Sequence, residues 1–209
     1  RHGTNAHLHV YRIRNSLRAM AETRERWRAQ LPHWEVRDRP HFVTIRCAGA
    51  LPEEVRLRLG EIQQTLQTVE PHSPGFAQLQ RRYFLACEKY LDAGSGFAPF
   101  ATPELGELWQ ETLQSIEHDC GWAVPHWVAM PNHVHFLMAP AGADPLPLRK
   151  AVARLKGRFA RRANSLLQRT GEFWQSEWFD HWCRDAPETA RIIEYIRQNP
   201  VKAGLATTW

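Results

Sequence analysis

The chain has 209 residues, of which 43% are hydrophobic and 23% charged, the ordinary balance of a soluble globular protein. A formal net charge of +5 and an isoelectric point of about 9.3 favour an acidic partner, nucleic acid being the usual one. No apolar run reaches the ~18 residues of a membrane helix, and the opening RHGTNAHLHVYRIRN has no apolar signal-peptide core.

Residues 1–40 are rich in charge, with Trp27 and Trp34 the only large anchors. Arg12 to Gln30 could form a helix dominated by Arg and Glu, and the whole stretch reads as an extension. His41 to Cys47 (HFVTIRC) alternates and is rich in β-formers, so it predicts the first strand. Leu51 to Val69 has helical periodicity, the 71–75 stretch breaks it, and Gln78 to Leu91 is helical again. Gly94, Gly96 and Pro99 mark a loop. Thr102 is expected to cap a helix running through Cys120, with Pro103 in its first turn and Gly121 just past its end. Trp122 to Met130 predicts a strand, Pro131-Asn132 a turn, and Val134 to Met138 the hairpin partner. Pro145 to Arg169 predicts a long helix, the aromatic Gly171 to Arg184 a hairpin, and Asp185 to Asn199 the last helix. This order suggests an α+β fold, an antiparallel sheet with helices on one face. Cys47, Cys87, Cys120 and Cys183 lack metal-ligand spacing, which excludes a zinc ribbon and points to reduced thiols in the cytoplasm.

The stretch MPNHVHFLM, Met130 to Met138, sets His133 and His135 two residues apart in a strand. Residues i and i+2 of a strand face the same side. The two imidazoles therefore present their nitrogens together, as cis ligands of one divalent metal would. Val134, Phe136 and Met138 face the other way and anchor the strand. The bland reading is a hydrogen-bonded structural pair. Spacing alone does not decide, because His7-Leu8-His9 repeats the pattern in the charged extension with no apolar strand behind it.

Asp185-Ala186-Pro187-Glu188 opens a helix with an Asp cap, an early Pro and a Glu three after the cap. Ala190, Ile193 and Ile196 make the expected buried stripe, and Pro200 is expected to end the helix. Tyr195 and Asn199, four apart, share a face. Asn199 at the helix terminus would offer its side-chain oxygen to a metal. A phenol one turn from such a donor suits metal-assisted phosphodiester transfer, in which it attacks phosphorus and forms a phosphotyrosine. Of the four tyrosines, Tyr195 is the one with a metal-capable residue four further on at a helix end. The competing reading is a half-buried helix residue.

Together, MPNHVHFLM and EYIRQNPVKAGL resemble the REP-associated tyrosine transposases, bacterial single-tyrosine members of the HUH nucleases, over roughly residues 41–205. The resemblance implies a ferredoxin-like α+β core with the His pair in the central sheet, plus a basic long helix and a C-terminal catalytic helix. It implies catalysis by Tyr195 and a divalent metal, Mg or Mn, held by His133, His135 and Asn199. It implies cutting of single-stranded DNA at repetitive extragenic palindromic hairpins. That cut leaves a 5′-phosphotyrosine and a free 3′-OH, and the retained energy allows strands to rejoin. The protein would be bacterial, acting at the nucleoid, with a monomer favoured over a dimer. Residues 1–40 then form a charged N-terminal extension, and residues 41–209 the transposase domain, with a helical insertion around 51–100. The alternative class is a catalytically silent DNA- or RNA-hairpin-binding protein on the same scaffold.

The run RKAVARLKGRFARRANSLLQR, Arg149 to Arg169, holds eight Lys and Arg and no acid. Charge runs are usually solvated faces, but beside a nuclease site this one suggests phosphate contact by Arg149, Lys150, Arg154, Lys156, Arg158, Arg161 and Arg162. In GEFWQSEWFDHWCRD the bland reading of the rings is core; the sharper one stacks Trp174 and Trp178 on unpaired bases. Lys202, just past Asn199, is a further phosphate candidate.

Overall fold

The computed structural model describes residues 21–70, 73–92 and 96–208. His7-Leu8-His9 lies outside them, as does the start of the stretch read as helical from Arg12. The rest of that stretch is not helical. Thr23–Arg28 (β1) and Pro32–Val36 (β2) form an antiparallel hairpin. Two of the three buried residues in its strands are polar: His33 and Glu35 are buried on β2 beside Val36. An apolar alternation therefore cannot reveal it.

The main sheet is built from His41–Cys47 (β3), Trp122–Met130 (β4), His133–Pro140 (β5) and Trp174–Trp182 (β6), in the order β4-β5-β3-β6 with every neighbour antiparallel. Helices Glu53–Thr68 (α1), Pro74–Leu91 (α2) and Pro103–Cys120 (α3) connect β3 to β4, and Leu148–Leu166 (α4) connects β5 to β6. This β-α-β-β-α-β order, with the first and third strands central, is the ferredoxin-like arrangement. Ala186–Lys202 (α5) follows β6. Among the described residues no helix is long and apolar enough to cross a membrane.

The two faces of the sheet differ. Val43, Ile45, Val134, Phe136 and Met138 join the larger core with Trp109 of α3 and Val152, Leu155 and Phe159 of α4. Phe42 and Leu137 on the reverse face pack with Ile196 and Tyr195 of α5 and Phe84 of α2. β3 is covered on both sides, and all seven of its residues are buried. α3 ends at Gly121, whose φ of 68° favours glycine. A Cβ there would stand 3.2 Å from Pro145 Cα, so the helix end and the start of the next connection approach closely.

Four local expectations change. The Gly171 to Arg184 segment is not a hairpin but leads into one strand, β6, paired with β3. Its turn residues lie at the ends rather than between its aromatics. Thr102 is the N-cap of α3, but its side chain makes no capping bond. Ala190 is exposed, and the buried positions of α5 are Glu188, Ile196 and Asn199. Pro200 does not stop α5, which runs on to Lys202. A proline in the last turn forfeits only its own N–H bond, and Ala203 N–H still donates to the Asn199 carbonyl at 3.0 Å.

Candidate active site

β5 carries His133 and His135 to the reverse face of the sheet, opposite Arg46 and Thr44 of β3. Both are fully buried. Their outer nitrogens are fixed by neighbours. Asn132 Nδ2 donates to the Leu91 carbonyl at 3.2 Å, which turns Oδ1 towards His133 Nδ1 at 2.7 Å. An amide oxygen only accepts, so His133 Nδ1 carries the proton and its Nε2 keeps a lone pair. His135 Nδ1 lies 2.8 Å from Thr44 Oγ1. The two Nε2 atoms then face each other at 3.0 Å. Burial and the neighbouring His135 push the His133 imidazole down to about 3, so it stays neutral near pH 7.

α2 brings a third group. Glu88 Oε2 is 3.1 Å from His135 Nε2, and the Glu88, His133 and His135 donor atoms all lie within 4.8 Å of one another. Burial alone would raise the Glu88 carboxyl, but the adjoining His135 and His133 imidazoles and the Tyr195 hydrogen bond outweigh it and hold it at about 2. Glu88 is thus an anion facing two imidazole nitrogens. Its Oε1 is buried without a hydrogen-bond partner, and so is Asn199 Oδ1 on α5. Orphaned buried oxygens and converging nitrogens are what a divalent cation satisfies. His133, His135, Glu88 and Asn199 fit such an ion chemically.

α5 supplies the phenol. Its N-terminus is held by Asp185, which accepts from Glu188 N–H at 2.7 Å. Glu188 in turn takes Arg184 and His181, fastening the helix to β6. Tyr195 O–H donates to Glu88 Oε2 and lies 3.4 Å from His135 Nε2. The Tyr195 ring sits edge-on to Phe42 at 5.8 Å. Burial and Glu88 raise the phenol far above its usual range. Lys202 Nζ lies over the Tyr195 ring, 5.5 Å from its centre.

The sequence brings His133, His135, Tyr195 and Asn199 to attention, but not Glu88. Its signal was a single acid among Tyr83, Phe84, Cys87 and Leu91 on an otherwise apolar helix face. Asn132 was visible in MPNHVHFLM but reads there as a turn residue.

The basic run lies elsewhere. α4 covers the sheet face opposite the histidines. Arg149 pairs with Glu25 at 2.7 Å, Arg158 with Asp119 at 2.6 Å and Arg162 with Glu111 at 2.6 Å. Lys156 donates to the Gln175 and Ser176 carbonyls at 2.7 and 2.9 Å, and Arg154 to the Asp119 carbonyl at 3.4 Å. Lys150 and Arg161 carry no partner among the described residues. Trp174 and Trp178 are only 6% and 7% exposed. Trp174 packs on Phe159 and Trp178 on His33, which leaves little ring face for a base.

The chain is similar to known proteins in three respects. The family model described as "Transposase IS200 like" matches residues 99–199, which include His133, His135, Tyr195 and Asn199. A Haemophilus influenzae protein named as a REP-associated tyrosine transposase is 33% identical over 85 residues, covering 36% of this chain and 47% of that protein. The matched part is thus about half of the relative's length. A solved structure of a REP-associated tyrosine transposase bound to a REP hairpin aligns with a TM-score of 0.50 and 14% identity. It covers 88% of this chain and 76% of the other, and it shares the fold.

Proposed function

We propose that this chain, similar over residues 99–199 to IS200-like transposases, is a metal-dependent single-stranded DNA endonuclease and strand-transferase acting through Tyr195. One observation carries the reading: two histidine nitrogens, a buried carboxylate and a phenol meet at one point on the sheet. Mg or Mn held by His133, His135, Asn199 and Glu88 would polarise the phosphoryl oxygens there. The Tyr195 oxygen forms a bond to phosphorus as the phosphorus–O3′ bond breaks. The Tyr195 O–H points at Glu88 Oε2, and its proton leaves to bulk solvent once the hydroxyl has turned to the DNA. The leaving oxygen takes a proton and becomes a free 3′-OH, and the DNA stays attached as a 5′-phosphotyrosine. Attack of a 3′-OH on that link reverses the step and joins strands. Phe42 and Phe84 exclude water around the phenol, while Lys202 meets the phosphate.

The substrate we propose is a palindromic single-stranded hairpin, on the strength of the hairpin held by the structural relative. Lys150 and Arg161 on α4, together with Lys202, are the phosphate contacts best placed to add affinity. The protein would act as a monomer in the bacterial cytoplasm, at the nucleoid. The test is incubation with labelled single-stranded hairpins and Mg or Mn, beside Tyr195→Phe. A covalent band on a denaturing gel that vanishes in the variant and with chelator supports the reading. Tight binding with no band, across hairpins and both metals, would favour the silent hairpin-binding alternative.

A further inference from the structure

One oxygen of Glu88 has two claimants. Oε2 accepts the Tyr195 hydroxyl, and the same atom stands 3.1 Å from His135 Nε2, which itself stands 3.0 Å from His133 Nε2. Cis ligands of an octahedral ion bound at about 2.1 Å lie about 3.0 Å apart. Two edges of the set, those that meet at His135 Nε2, thus already have the length of a cis ligand pair, and all three donor atoms lie within 4.8 Å of one another, with the phenol hydrogen-bonded to one member. The neighbouring Oε1 has no hydrogen-bond partner among the described residues, so the Oε2 contacts are what orient the carboxylate there. Glu88 also lies on α2, outside the 99–199 region that matches the family model.

We propose, resting on the reading of this site as a metal-dependent tyrosine nuclease, that Glu88 couples cation binding to the release of Tyr195. Without the cation, the carboxylate holds the phenol on the His pair. With the cation, Oε2 is engaged as a ligand and the hydroxyl is freed to turn to DNA. Glu88 is then both a ligand and a positioning residue for the nucleophile, and α2 is part of the active site rather than an accessory insertion.

Coupling of this kind is reciprocal, so deleting the hydroxyl must strengthen cation binding. The experiment is calorimetric titration of Mn2+ into the full chain, without DNA. It compares wild type, Tyr195→Phe, Glu88→Gln and the double variant, with circular-dichroism melts to check folding. Tyr195→Phe should bind Mn2+ roughly tenfold more tightly, the loss of one charge-assisted hydrogen bond from the competing state. Glu88→Gln should bind roughly tenfold more weakly, and in that background Tyr195→Phe should change affinity by less than about twofold. Glu88→Asp should recover part of the affinity, which separates a lost ligand from a disturbed fold. If Tyr195→Phe leaves Mn2+ affinity unchanged or weakens it while wild type binds, the coupling is wrong and the metal site stands. If wild type binds no Mn2+, both the coupling and the metal reading fall.

Discussion

His33 should act as a buried ionic pin for the N-terminal hairpin, and its loss should be felt in a pH-dependent way. Its Nε2 lies 2.9 Å from Glu177 Oε1, and its Nδ1 pairs with Asp180 Oδ1, both on β6. Its ring is stacked between Trp27 at 4.8 Å and Trp178 at 4.7 Å. Burial works against a charged imidazole, but the hydrogen bonds and charges of Asp180 and Glu177 outweigh it and raise His33 from 6.5 to about 9. That rise corresponds to about 3 kcal/mol of stability. A raised pKa stabilises fully below pH 6.5, and the contribution is lost as pH climbs through 9. Urea unfolding of wild type and His33→Gln at pH 6, 7.5 and 10 reads it. The variant should be less stable by about 3 kcal/mol at pH 6, with the gap shrinking to under about 1 kcal/mol at pH 10. A gap that is constant with pH, or already below about 1 kcal/mol at pH 6, would refute the argument that the charge holds the hairpin.

Other perturbations probe separate parts of the account. Glu35 Oε2 accepts the Leu148 N–H at 2.7 Å, where α4 has no side-chain cap of its own. Glu35→Gln should lower the unfolding free energy by about 1–2 kcal/mol and leave Mn2+ affinity unchanged. Gly121→Ala forces an L side chain to φ 68° against Pro145, and should cost about 1–2 kcal/mol in denaturant melts. Lys150→Ala combined with Arg161→Ala should flatten the salt dependence of hairpin binding by about two units of slope. Cleavage at saturating DNA should be unaltered by that pair. Lys202→Ala should instead slow cleavage at saturation.

The pattern of what the sequence reveals has physical causes. The sheet strands were legible because β3, β4 and β5 alternate or run apolar, and α3 because Gly121 closes it. The His pair and Tyr195 with Asn199 were legible because strand and helix periods place them on shared faces. The β1–β2 hairpin was hidden because two of the three buried residues in its strands, His33 and Glu35, are polar and satisfied by partners about 113 to 147 positions away. Pairing across such a distance leaves no local pattern. The same holds for Glu88, whose meaning depends on α2 crossing to the histidines. The charge of α4 was legible, but its acidic partners Glu25, Asp119 and Glu111 come from other elements. A uniform basic stripe in sequence is therefore a partly neutralised surface in the fold.

The central claim is that Tyr195 becomes covalently joined to DNA. The direct measurement is mass spectrometry of protease- and nuclease-digested protein after incubation with single-stranded hairpin DNA and Mn2+. The account predicts a nucleotide phosphate adduct on the peptide containing Tyr195, absent with chelator. An adduct on Tyr83 or Tyr90, or DNA cleaved without any adduct, would contradict it.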